Sequence, residues 1–281
     1  MNERENMAKK DTSLEVKKVA GVELPDFMRD KDVVGLEALA EFVIPPRIKM
    51  VSLQSTKLLE TFRAGDVVLT PTNSIIVEPD RDDRGSLLED GERSFNFTPI
   101  FFYPEWITWN DIKLKGQEDA TLYRTTDPTD PIVSKARDKN LREEDHPTVD
   151  KMKIRHVEHL NYIIILQDHP LAGQPALISF SRGEWFAGSN LASLLKMRKA
   201  SIFGCVFTAT VEFRKGKLGD WYGLDIANPS NRVPWVEKEQ YTAFEALHNE
   251  FKEHHKNSRL KASFDDEEAV DPAKIAPSED M

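Results

Sequence analysis

Residues Gly183 to Ser189 (GEWFAGS) carry two glycines at the spacing of a phosphate-binding loop, between a strand-like run and a helix-like run. That loop needs a lysine directly after its second glycine to reach the phosphates, and Ser189 stands there instead. Asp80, Asp82, Asp83 and Gly85 have the flavour of a calcium loop, but Gly91 occupies the twelfth position, where a glutamate is required. A solvated turn is the simpler reading. His156 and His159, three apart, lack a thiolate or carboxylate at metal-ligand spacing and read as surface histidines, as do His254 and His255 on the polar side of the last helix. The one cysteine, Cys205, sits in an apolar strand and reads as a small core residue. No catalytic residue, metal or cofactor is expected from these patterns.

What stands out instead is the interleaving of aromatic and basic residues. A protein that holds a flexible single strand needs ring faces for unpaired bases and cations for phosphates. Four places qualify: Arg47 and Lys49; Phe101, Tyr103, Trp106 and Trp109; Arg182 with Trp185; and the turn Arg214, Lys215, Lys217 followed by Trp221 and Tyr222. Lys196, Arg198 and Lys199 add cations in the last turn of a helix. Phe95, Phe97, Phe207 and Phe213 are assigned to the core.

The elements that must position these residues begin with a basic–apolar strand, Arg47 to Leu53, after a short helix over Gly35 to Phe42 that Pro45-Pro46 would stop. Strands follow at Asp66 to Thr70 and Ser74 to Glu78. In Ser94 to Tyr103 (SFNFTPIFFY), Phe95, Phe97, Phe101 and Tyr103 fall on one face at period two, and Pro99 marks an edge or a bulge. Residues 116–153 are charged and proline-dotted, and read as an insertion with little to bury. Strands return at Asn161 to Gln167 and Ala176 to Ser181, then a helix from Ser189 to Lys199. Phe203 to Phe213 and Trp221 to Ala227 form a hairpin, and an amphipathic helix spans Glu237 to His255.

A lone helix between the third strand region and a final hairpin is the layout of an OB-fold. The expected class is α+β, mainly β: a five-stranded OB-like barrel with insertions, a C-terminal amphipathic helix and disordered ends. Its parts are a disordered segment 1–34, one nucleic-acid-binding domain 35–260, and an acidic tail 261–281.

Charge and hydropathy narrow the partners. The 281 residues have a net charge of -10, and no apolar run is long enough to span a bilayer. Residues 265–281 hold seven acids, including Asp265, Asp266, Glu267 and Glu268, against one lysine, a local charge of -6 that leaves -4 for the remainder. Such a tail would compete with nucleic acid for a basic groove and recruit partner proteins once displaced. With a single cysteine and no secretory signal at the N-terminus, the expected compartment is the cytoplasm, that of a host cell if the chain is phage-encoded.

On GLEALAEFVIPPRIKMVSLQS, AGDVVL, FTPIFFYPEWITWND and HPLAGQPALISFSRGEWFAGSNLASLLKMRK, the chain resembles bacteriophage-encoded single-stranded DNA-binding proteins. The resemblance covers residues 35–115 and 160–230. It implies an OB-like core, a role in DNA replication or recombination, and no catalytic residues. Proteins of that class often end in an aromatic residue after the acidic block. This chain departs from that pattern, with Phe264 before the block and Met281 at the end. The expected function is sequence-tolerant binding of single-stranded DNA, with replication or recombination proteins as tail partners and an oligomer compatible with the role. The alternatives are a β-rich virion structural or assembly protein and a metal-dependent nucleic-acid-processing enzyme.

Overall fold

The computed structural model describes residues 45–53, 55–110, 121–146, 153–216, 219–258 and 260. The expected 35–42 helix, the N-terminal segment, Lys217 and the tail acids lie outside them. Within the unit that spans Glu41 to Met281, the strands are β1 (Arg47–Met50), β2 (Val67–Thr70), β3 (Ser74–Val77), β4 (Ser94–Asn110), β5 (Thr121–Thr125), β6 (Glu143–Asp145), β7 (Lys153–Gln167), β8 (Pro175–Phe180), β9 (Phe207–Arg214) and β10 (Trp221–Ala227). The helices are α1 (Thr56–Leu59), α2 (Pro131–Arg137), α3 (Trp185–Arg198) and α4 (Lys238–Lys256).

All ten strands join one sheet in the order β10-β9-β4-β7-β8-β1-β2-β3, with β5 on β4 and β6 on β7. The sheet is mixed and curls into a half-barrel. Among the described residues, only the β1–β8 pair is parallel. The five-stranded OB barrel is therefore corrected. The final hairpin and the helix before it are present, but β4 and β7 run far beyond OB length, and β3 and β10 end the path unjoined.

The 17-residue β4 and 15-residue β7 form the spine, a ladder from Asn96↔Gln167 to Asn110↔Ile154. At about 3.3 Å per residue, β4 spans roughly 55 Å. Its register shifts between Pro99 and Phe101, where Ile100 is the extra residue. A bulge reverses which face the following side chains take. Phe95 and Phe97 thus join Tyr162, Ile164 and Phe180 on one face, while Phe101 and Tyr103 join Ile163, Ile165 and Leu177 on the other. The period-two reading that put all four rings together fails at this one residue.

Each face has its own cover. Ala187 and Leu191 of α3 pack on the first, where Gly188 lies so near Phe180 that a Cβ would come within 2.7 Å of its side chain. This glycine belongs to a helix, not to a loop. Phe244 and Phe251 of α4 pack on the second face. The α4 N-terminus is set by a capping box in which Glu237 and Gln240 serve each other's backbone. His248 Nδ1 donates to the Ile100 carbonyl at 2.7 Å, so the helix satisfies an oxygen at the bulge.

The 116–153 stretch buries more than its composition suggests. Its described part carries β5, α2 and β6, and Ile132, Val133 and Ala136 of α2 enclose Trp106. Asp130 caps α2 by accepting from Ile132 N, with Pro131 at the first helical position. His156 and His159 are buried rather than superficial, bonded to Thr108 and Ser179, and Cys205 is buried as expected. Phe213 is 42% exposed and not core. Asp82 closes its acidic turn by accepting from Arg84 N and Ser86 N.

His255 also departs from the polar-face reading, because its ring packs on Phe101 and Tyr103 at 5.6 and 5.2 Å between centroids. Burial holds this imidazole below its ordinary value of 6.5. A base with a depressed native pKa is kept neutral by the fold. Stability is therefore full above about pH 6.5 and declines as pH falls below it, because the unfolded chain takes up the proton first. His255→Gln should reduce the loss in melting temperature between pH 7.5 and 5.5. An unchanged loss would assign the acid sensitivity to other groups, such as His169, whose pKa burial also lowers.

Candidate functional site

The curl of the sheet brings β1 and β8 opposite the start of β10, and a cleft of about 720 Å³ lies between them. One wall is β1, α1 and the β2–β3 turn. The other is a single 3-10 turn, Arg182–Glu184, together with Trp221, Tyr222 and Leu224 of β10. Leu58 of α1 and Phe62 just after it pack on Val68 of β2 and on Val51 just after β1. This packing sets Lys57 on the cleft.

Five of the residues singled out from sequence meet here: Arg47, Lys49, Arg182, Trp221 and Tyr222. They come from three segments far apart in the chain. Among the described lining residues the cations are Arg47, Lys49, Lys57 and Arg182, and Glu184 is the acid. Arg47, Lys49 and Lys57 each also take part in interactions of their own. Arg182 is exposed, and its φ of 48° is in the left-handed region that few residues other than glycine adopt. Trp221 is 37% exposed, with its indole beside Gly183 and its ring edge beside Gly216.

Tyr222, on the cleft, is held by a clasp behind it. Arg81 pairs with Asp66 at 3.1 Å, donates to the Ala64 carbonyl at 2.8 Å and to the Tyr222 hydroxyl at 3.3 Å, and lies over the Tyr222 ring. Gly65 lies flat beneath that ring at φ 94°, where a Cβ would come within 2.8 Å. Tyr222 thus joins the last strand to the loop before β2. Glu184 makes a second tie. One of its oxygens accepts from Leu224 N at 2.9 Å, and burial raises its pKa against the opposing pull of that N–H and of Arg214.

Along β10, side chains occupy backbone groups at two alternate positions. Leu224 N–H goes to Glu184, the Leu224 carbonyl accepts from Arg214, and the Ile226 carbonyl accepts from Asn190. Arg214 is therefore part of the fold and not of the cleft lining.

The other sequence candidates lie elsewhere. Phe101, Tyr103, Trp106 and Trp109 are buried and offer no face to a base, which corrects their reading as stacking surfaces. Trp106 and Trp185 both donate to one carboxylate, Glu158, at 3.1 and 3.0 Å, and Arg137 also bonds it. Tyr103 lies beside Glu105, which bonds Arg124 and Asn161 and is pushed up in pKa by burial. Arg198 is held by the Val206 and Pro234 carbonyls and lies 4.0 Å from the centre of Phe207. Lys196, Lys199 and Lys215 are exposed but do not line the cleft. Sequence reasoning missed Lys57, Ser179 and Glu184. Glu184 lay inside the near-miss phosphate loop, and Lys57 carried no signal beyond its charge.

A family model described as Pam3 phage gp34-like protein matches residues 17–257. The chain belongs to the Pam3 phage gp34-like family. This family membership supports a bacteriophage origin. No curated protein and no solved structure matches the chain. Among the described residues of this family member, no helix is long and apolar enough to cross a membrane, and no group of three or more His, Cys, Asp or Glu could hold a metal ion.

Gly65→Ala should force Tyr222 off the loop and strain a positive φ, costing about 1–3 kcal/mol as overpacking does. Denaturant unfolding would register it, and an unperturbed midpoint would mean that the clasp is loose.

Proposed function

We propose that this phage protein binds single-stranded DNA without catalysis, and that the cleft is where it does so. The observation that supports the reading is convergence. Cations from β1, α1 and the 182–184 turn line the same cleft as one half-exposed indole, Trp221, although the turn follows α1 by over a hundred residues in the chain. Trp221 offers a stacking face that any base can use, while the cations neutralise phosphate. An excess of cations in a concave site concentrates a polyanion even when the whole chain carries -10.

The four buried rings take no part in this version of the function. Their loss narrows the aromatic contribution to Trp221, with Tyr222 as part of the wall. The acidic residues 265–281 act as a tethered competitor for the same cations, and recruitment of replication or recombination proteins follows when a strand displaces them.

Titration with a linear dT oligonucleotide should quench tryptophan fluorescence. With about three phosphate contacts, affinity should drop roughly 20-fold between 50 and 200 mM salt. Trp221→Ala should weaken binding about 5- to 150-fold, the worth of one stacked base. Arg182→Ala should weaken it and flatten the salt dependence, whereas Lys196→Ala should change neither. Binding indifferent to Trp221 and Arg182 would place the strand elsewhere, and absence of binding would end the reading.

Deleting residues 265–281 should tighten oligonucleotide binding, most strongly at low salt, where the tethered anion competes best. Equal affinities with and without the tail would remove the competition from the mechanism.

A further inference from the structure

We infer that the cleft takes the end of a single strand, and not a stretch from its middle. This inference rests on the strand-binding reading above and narrows it. Three features carry it.

The first is size. Grooves that coat a strand follow it for about 4–16 nucleotides. A cleft of about 720 Å³ instead falls within the roughly 300–1,000 Å³ of clefts and cavities that take one small ligand.

The second is the number of usable rings. A coating surface offers successive bases successive aromatic faces. Here Phe62 and Phe180 line the cleft but are buried in its walls, and the Tyr222 ring lies on Gly65 with its hydroxyl held by Arg81. Among the described lining residues, Trp221 is the ring left for a base. One ring suits one terminal base.

The third is the clasp. The Tyr222 ring and Gly65 are in direct contact, so among the described residues β10 and the loop before β2 meet at the Tyr222 side of the cleft. Arg81 and its partner Asp66 are both almost wholly buried, with side-chain exposures of 7% and 3%, and they fix this contact from behind. A strand laid against Trp221 and running toward Tyr222 therefore meets this contact where a threaded strand would need an exit. A chain end can stop there. An internal segment would have to turn away from that side.

The decisive comparison uses the full-length protein with a linear dT 20-mer and the same 20-mer closed into a circle. The linear strand should bind at least about tenfold more tightly than the circle, and a linear trinucleotide should bind nearly as well as the linear 20-mer. Equal binding of circle and line overturns end recognition and leaves single-strand binding standing. So does an affinity that climbs steadily from three to twenty nucleotides. If neither line nor circle binds, the strand-binding reading fails, and this inference with it.

Discussion

One inserted residue in β4, Ile100, decides where the rings of the longest strand go. A pleated strand alternates its side chains strictly, so a single extra residue moves everything after it to the opposite face. Before the bulge, Phe95 and Phe97 belong to the face under α3. After it, Phe101, Tyr103, Ile107 and Trp109 belong to the face under α4, and Trp106 turns back toward α2. A two-sided sheet of this length must be covered on both sides to keep its apolar groups from water, and the bulge gives each cover rings to pack on. His248, bonded to the Ile100 carbonyl, ties the α4 cover to the same residue.

The cleft is a by-product of that architecture. With the rings of the spine packed under their covers, Trp221 on β10 and the cations of β1, α1 and the turn after β8 are what line it. The clasp at Tyr222 and the tie at Glu184 hold β10 in place across from β1. The cleft shape therefore depends on contacts made by residues that a ligand would never touch, Asp66 and Arg81 among them.

Much of the local structure was legible in the sequence. The hairpin strand Trp221 to Ala227 was read with the bounds observed, and the last helix to within a residue, because alternation and helical spacing are local properties. The topology was not legible. OB layout and this sheet share a helix followed by a hairpin, and only the pairing partners of β4 and β7 separate them, which are long-range facts. The charged stretch around α2 misled because its three buried residues, Ile132, Val133 and Ala136, are few among many polar ones, yet they meet Trp106. Of the candidate site, Arg47, Lys49, Arg182, Trp221 and Tyr222 were found by residue type alone. Type could not distinguish Trp221, at the cleft, from Trp106, whose indole is bound to Glu158, because both are tryptophans on strands next to cations.

The occupied backbone of β10 bears on how copies of the protein can meet. A terminal strand normally invites a neighbour to extend the ladder, and fibres grow from such invitations. Here a newcomer would first have to evict the side chains of Glu184, Arg214 and Asn190, losing three bonds before gaining any. Edge-to-edge pairing of copies is thus opposed on that flank by the molecule's own side chains. Any regular array of copies would have to grow from other surfaces.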